Sequence, residues 1–98
     1  MRSENIADAL GVPEVVKAAD VTCQAFPVQI EGELHDGRRF YFRYRFGRAG
    51  IGIGATDHDA VRDQRGDVEY GGEFSGDLDE GEELREVFGR AWAARAAR

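Results

Sequence analysis

The stretch Val28-Gln29-Ile30-Glu31-Gly32-Glu33-Leu34-His35-Asp36-Gly37-Arg38-Arg39-Phe40-Tyr41-Phe42-Arg43-Tyr44-Arg45-Phe46 decides the fold. Its apolar residues recur with a period of two: Val28, Ile30 and Leu34 alternate with Gln29, Glu31 and Glu33. Phe40, Phe42, Tyr44 and Phe46 alternate with Arg39, Tyr41, Arg43 and Arg45. Two strands joined at His35-Asp36-Gly37 follow. A two-residue Asp-Gly turn would set Leu34 opposite Arg39 and Ile30 opposite Arg43, which mixes the faces. A three-residue loop with Gly37 in the left-handed conformation of a G1 bulge instead pairs Leu34 with Arg38, Ile30 with Phe42 and Val28 with Tyr44. That register gathers the apolar residues on one face and places Glu33 opposite Arg39, with Glu31 diagonal to Arg43, on the other. The bulged register is therefore the expected one.

Downstream, Gly47-Arg48-Ala49-Gly50 is expected to turn the chain into Ile51-Gly52-Ile53-Gly54, a third strand, and Val68, Tyr70 and Phe74 indicate a fourth. The polar segment Ala55 to Gly66 has room for a turn of helix but no apolar face, and reads as a mobile loop. Leu84, Val87, Phe88, Ala91, Trp92 and Arg95 follow the helical period, with acids at the start and Arg90, Arg95 and Arg98 toward the end. This helix is expected to cover the aromatic face of the sheet. Upstream, Ser3 can cap a helix carrying Ile6, Ala7 and Leu10, Gly11 can end it, and Pro13 can open another turn through Val15, Val16 and Ala19. The expected fold is α+β and a single domain, 1-98. It comprises short N-terminal helices (1-20), an antiparallel three- to four-stranded β-meander (26-74) and a C-terminal helix (78-97) packed on one face.

Ten aromatic residues and a 42% apolar fraction support a folded core, against 33% charged residues. No apolar run approaches the roughly 18 to 20 residues of a membrane span, and the opening residues lack the apolar centre of a secretory signal. A cytoplasmic protein is expected. Cys23, the single cysteine, has no partner for a disulfide and reads as a small buried side chain. Lys17 is the only lysine among thirteen basic residues, which hints at a GC-rich bacterial or phage genome.

Several strings imitate functional motifs. Gly50-Ile51-Gly52-Ile53-Gly54-Ala55 matches a G-x-G-x-x-A dinucleotide fingerprint, yet no periodic helix follows it, and alternating Ile and Gly reads as a strand packed closely against a neighbour. Asp57-His58-Asp59 with Asp63 could offer ligands to a divalent cation, and Asp77-Leu78-Asp79-Glu80-Gly81 resembles the opening of a calcium loop. The second string lacks the bidentate Glu at its twelfth position, which is Phe88. Nucleophiles such as Ser75 and Cys23 have no histidine placed beside them, since only His35 and His58 exist. Ile6-Ala7-Asp8-Ala9-Leu10-Gly11-Val12 resembles the first helix and turn of a helix-turn-helix. Lys17 falls where that motif requires an apolar residue.

Charge is the informative feature. Residues 1 to 56 hold seven acids and seven bases, and residues 57 to 98 hold twelve and six, so the net charge of −6 comes from the second part. Residues 57 to 83 alone carry eleven acids and two arginines, whereas residues 38 to 48 carry five arginines and no acid. Glu31 and Glu33 are expected to face that arginine stripe, leaving Arg45 and Arg48 free. An acidic surface repels nucleic acid but attracts a basic groove built to hold a phosphate backbone. The expected function is thus a small acidic, non-enzymatic protein-interaction domain. It would be a nucleic-acid mimic of the kind phages and mobile elements use to inhibit a nucleic-acid-handling host defence protein. The partner-binding acids would be Asp57, Asp59, Asp63, Asp67, Glu69, Glu73, Asp77, Asp79, Glu80, Glu82 and Glu83, with no catalytic residue, metal or cofactor. The alternatives are a metal-dependent enzyme built on the Asp57, His58, Asp59 and Asp63 loop, and a DNA-binding accessory protein using the N-terminal helices.

Overall fold

The structure, a computed structural model, describes residues 10–12, 14–24, 27–70 and 82–97. Among them the chain runs β1 (Val16–Gln24), β2 (Val28–Leu34), β3 (Arg39–Arg45), β4 (Arg48–Gly54), α1 (Asp57–Asp63), β5 (Val68–Glu69) and α2 (Glu82–Ala96). The strands pair antiparallel in the order β1-β2-β3-β4-β5, so the α+β meander with its C-terminal helix is as expected, but the sheet has five strands instead of three or four because β1 adds one before the hairpin. The bulged hairpin register is also as expected. Val28 pairs with Tyr44, Ile30 with Phe42 and Glu33 with Arg39. Gly37 sits at a φ of +92°, and the Leu34 N–H donates to the Arg38 carbonyl at 2.8 Å.

That register aims Ile30, Phe40, Phe42 and Tyr44 at one face, where Leu84, Val87, Phe88 and Ala91 of α2 meet them; each is buried. The Phe88 ring is the centre, 5.7 Å from the Phe40 ring and 5.3 Å from that of Phe42. Trp92 stacks on it at 6.4 Å but stays only half-buried. Side chains of this size each contribute roughly 1.5–3 kcal/mol by leaving water, which makes this layer the main source of stability.

The expected N-terminal helices differ from the structure. Leu10 is buried and Gly11, at a φ of +80°, ends its turn, but Val16–Gln24 is a strand on β2; Ser3, Ile6 and Ala7 lie outside the described residues. Register shifts between Val16 and Ala18 and between Val21 and Cys23 give β1 one extra residue at Lys17 and another at Thr22. Each bulge resets the face that follows it. The core-facing residues therefore fall at Val16, Ala19 and Val21, and the spacing of three between the first two imitates a helical period.

The β3–β4 connection is shorter than expected. Phe46 and Gly47, at φ of +53° and +74°, form a two-residue turn closed by the Arg45–Arg48 pair, and Ala49 and Gly50 belong to β4. Two left-handed residues give a turn whose twist matches that of the strands. Phe46 consequently leaves the apolar face and is 56% exposed.

The segment expected to be a mobile loop contains α1, docked on the sheet face opposite α2. Thr56 caps it, its hydroxyl accepting from the Asp59 N–H at 3.2 Å. The helix packs through backbone: a Cβ at Gly52 would overlap the Ala60 carbonyl, and one at Gly50 the Arg65 carbonyl. The close neighbour expected for the Ile-Gly alternation is thus α1. Ala60 is the one residue of α1 that is buried, so no apolar stripe was needed. The strand expected around Val68 and Tyr70 is β5, paired with Arg48 and Ala49; Phe26 and Phe74 lie outside the described residues. No helix among the described residues is long and apolar enough to cross a membrane.

Candidate functional site

The described acids of residues 57 to 69 are spread along α1 and β5, Asp57 beside Arg39 at one end of β4 and Glu69 beside Arg48 at the other, and the fold uses them unequally. Asp57 and Asp59 stand exposed in the first turn of α1, where carboxylates favour the positive end of the helix. Asp57 accepts from the Arg39 Nε at 2.7 Å, which ties the helix start to β3. No hydrogen bond or ion pair involves the Asp59 carboxylate among the described residues. Asp67 and Glu69 are exposed, and Glu69 meets the Arg48 guanidinium at 3.0 Å. Arg48 is therefore engaged, contrary to the expectation that it is free.

Asp63 has a different position. Its Oδ2 accepts from the Ile53 N–H of β4 at 3.0 Å and from the Arg95 Nε of α2 at 2.8 Å. It satisfies the edge of β4 beyond the end of β5 and clamps the helices of both faces to the sheet, so it is not a freely presented charge. Glu83 accepts from the Tyr70 hydroxyl at 3.2 Å, while Tyr44 donates to the Tyr70 carbonyl at 2.6 Å. Burial, then the Glu83 contact, pushes the Tyr70 phenol up. Glu73, Asp77, Asp79 and Glu80 lie outside the described residues, and of Glu82 only the backbone is described.

Among the described residues neither alternative chemistry is assembled. Among the described residues no three His, Cys, Asp or Glu side chains come together in a way that could hold a metal ion. Asp57 turns to Arg39 and Asp63 to Arg95. Lys17, which falls where the helix-turn-helix needs an apolar residue, lies on β1, 4.0 Å from Glu33. The second helix of the helix-turn-helix likeness is replaced by that strand. The Gly50–Gly54 fingerprint has its open face filled by α1, leaving no approach for a pyrophosphate.

The expected neutralisation of the arginine stripe is partial. Glu33 approaches Arg39, at 3.9 Å, and Glu31, opposite Tyr41, takes the expected place diagonal to Arg43, which stands between Gln29 and Gly50 without an ion pair to it. Among the described residues neither Arg43 nor Arg45 has a carboxylate partner. The cross-strand signal for this was the absence of any acid in residues 38 to 48. Beside it, Tyr41 is buried on the α1 face, and burial pushes its phenol up. No protein-family profile, no curated protein and no solved structure matches the chain.

Proposed function

We propose that the protein is a non-enzymatic, cytoplasmic interaction domain whose acidic α1–β5 segment docks on a basic protein surface in place of nucleic acid. Inhibition of a nucleic-acid-handling defence protein, as carried by phages and mobile elements, is the role that fits a small mimic. The observation that carries the reading is the seating of α1. Its backbone rests on the glycines of β4, so Asp57 and Asp59 project from a fixed platform rather than from a loose loop. Preorganised like charges raise the association rate with a cationic groove and add salt dependence. Asp67 and Glu69 add exposed charge toward the other end of β4, where Glu69 pairs with Arg48.

The test begins with a partner captured from the native cell or infected host and purified. Its association with the wild-type chain should slow steeply as salt rises, and nucleic acid should compete. Asp57→Asn, Asp59→Asn and Asp67→Asn together should slow association with the fold intact, because Asp63 is retained. Affinity indifferent to salt, to nucleic acid and to the triple substitution would contradict the reading.

A further inference from the structure

The three arginines at the end of β3 and the start of β4 share one face of the sheet, the face that α1 covers only in part. Arg45 lies directly opposite Arg48, and Arg43 is one step along the same face. Like charges placed directly across an antiparallel pair repel, so this arrangement opposes folding. With Phe46, Gln64 and Gly66 the three line a cavity of about 240 Å³. At about 30 Å³ for each water, it has room for the phosphate end of a ligand whose remainder extends over the exposed Phe46 ring.

Three further observations concern the residues that line it. Among the described residues the Arg43 Nε, itself shielded from solvent, has no hydrogen-bond partner, although a buried guanidinium N–H ordinarily has one. Phe46 holds a left-handed backbone at the turn position where Asn, Asp or Gly is least strained, and its ring remains 56% exposed. Strain of this kind concentrates at ligand sites. The Arg45 guanidinium lies over the Phe46 ring, 4.6 Å from its centre, so cation and aromatic surface are presented together. Arg48 already donates to the Gly66 carbonyl at 2.8 Å and meets Glu69 at 3.0 Å, and is therefore held in place at the rim.

We propose that this cavity is a binding site for a mononucleotide-type ligand, a phosphate attached to a flat aromatic ring. The planar forks of Arg43 and Arg45 suit phosphate oxygens, and the exposed Phe46 ring gives a base a surface to stack on. The site adjoins the acidic segment through the Arg48–Glu69 ion pair but does not rest on that segment's proposed role.

The experiment is a titration of the full chain at low salt with adenosine monophosphate and, separately, with inorganic phosphate, followed by backbone amide shifts. Adenosine monophosphate should shift the amides of Arg43 to Arg48 and bind more tightly than phosphate. Arg45→Gln, at an exposed position, should weaken both ligands roughly tenfold, the scale of one charge-assisted contact. Arg43→Gln should do the same, with a positive charge lost from the cavity lining. Phe46→Asn relieves the turn, so it should leave the protein at least as stable while erasing the preference for the nucleotide over phosphate. Absence of binding at millimolar ligand, phosphate bound as well as the nucleotide, or affinity unchanged in Arg45→Gln and Phe46→Asn would each overturn the proposal.

Discussion

The two faces of the sheet are covered by helices, but by opposite means. On one face α2 inserts Leu84, Val87, Phe88 and Ala91 among Phe40, Phe42 and Ile51, so contact is made by apolar volume. On the other, α1 rests on Gly52 and Gly54 and the chain that leaves it, at Gln64 and Arg65, rests on Gly50, so contact is made by removing side chains and letting backbones touch. The first face is held by the hydrophobic effect and the second by fit, a cap at Thr56 and the Asp63 clamp. A helix can therefore be fixed without an amphipathic stripe when the strand beneath it carries none of its own bulk.

The largest effect should come from the volume-filled face. Phe88→Ala is expected to cost about 3 to 5 kcal/mol, read as a lowered urea midpoint. Trp92→Ala should cost less, about 2 kcal/mol, because Trp92 is only half-buried. Equal costs would mean that α2 is held by its outer end. On the backbone-fitted face, Gly52→Ala forces a Cβ into the Ala60 carbonyl and should cost about 1 to 3 kcal/mol. A neutral result would show that α1 is not seated there. Asp63→Ala removes one acceptor from both Ile53 and Arg95 and should cost about 1 to 2 kcal/mol, whereas Asp59→Ala, with no such contacts, should cost little.

The smallest effect is a pH dependence of the α1 face. Burial raises the Tyr41 phenol above its usual value near 10, so the fold keeps a proton that the unfolded chain releases there. Its contribution is complete below about pH 10 and is lost as pH rises through the folded value. Urea midpoints measured from about pH 8 upward should fall more in the wild type than in Tyr41→Phe. Parallel profiles would place Tyr41 in water.

The difference between the faces also explains what could be read in advance. The hairpin register followed from Val28, Ile30, Phe42 and Tyr44, because a period of two and one glycine turn leave a single arrangement with all of them on one side. Phe88 and its neighbours announced α2 in the same way. β1 was hidden because bulges at Lys17 and Thr22 break its period, giving Val16 and Ala19 the spacing of a helix. α1 was hidden because its signal lies in the strand beneath it: the Gly-Ile alternation spoke of a close neighbour without saying which. In the candidate site, exposure of Asp57, Asp59, Asp67 and Glu69 was legible from charge and loop composition. The structural duty of Asp63 was not, since its partners Ile53 and Arg95 are remote in sequence. The unbalanced pair Arg45 and Arg48 likewise emerges only once Phe46-Gly47 is known to be the turn.

The most direct measurement of whether α1 is a fixed platform for the acidic segment is native-state hydrogen exchange of its backbone amides. A seven-residue helix has no stability by itself in water, so protection must come from docking on β4. The Ala60 amide, which donates to the Thr56 carbonyl at 3.0 Å, should exchange slowly in the wild type. In Gly52→Ala it should lose that protection while the β2 and β3 amides keep theirs. Exchange at the rate of an unstructured chain in the wild type would contradict the account, since Asp57 and Asp59 would then be carried by a loose loop.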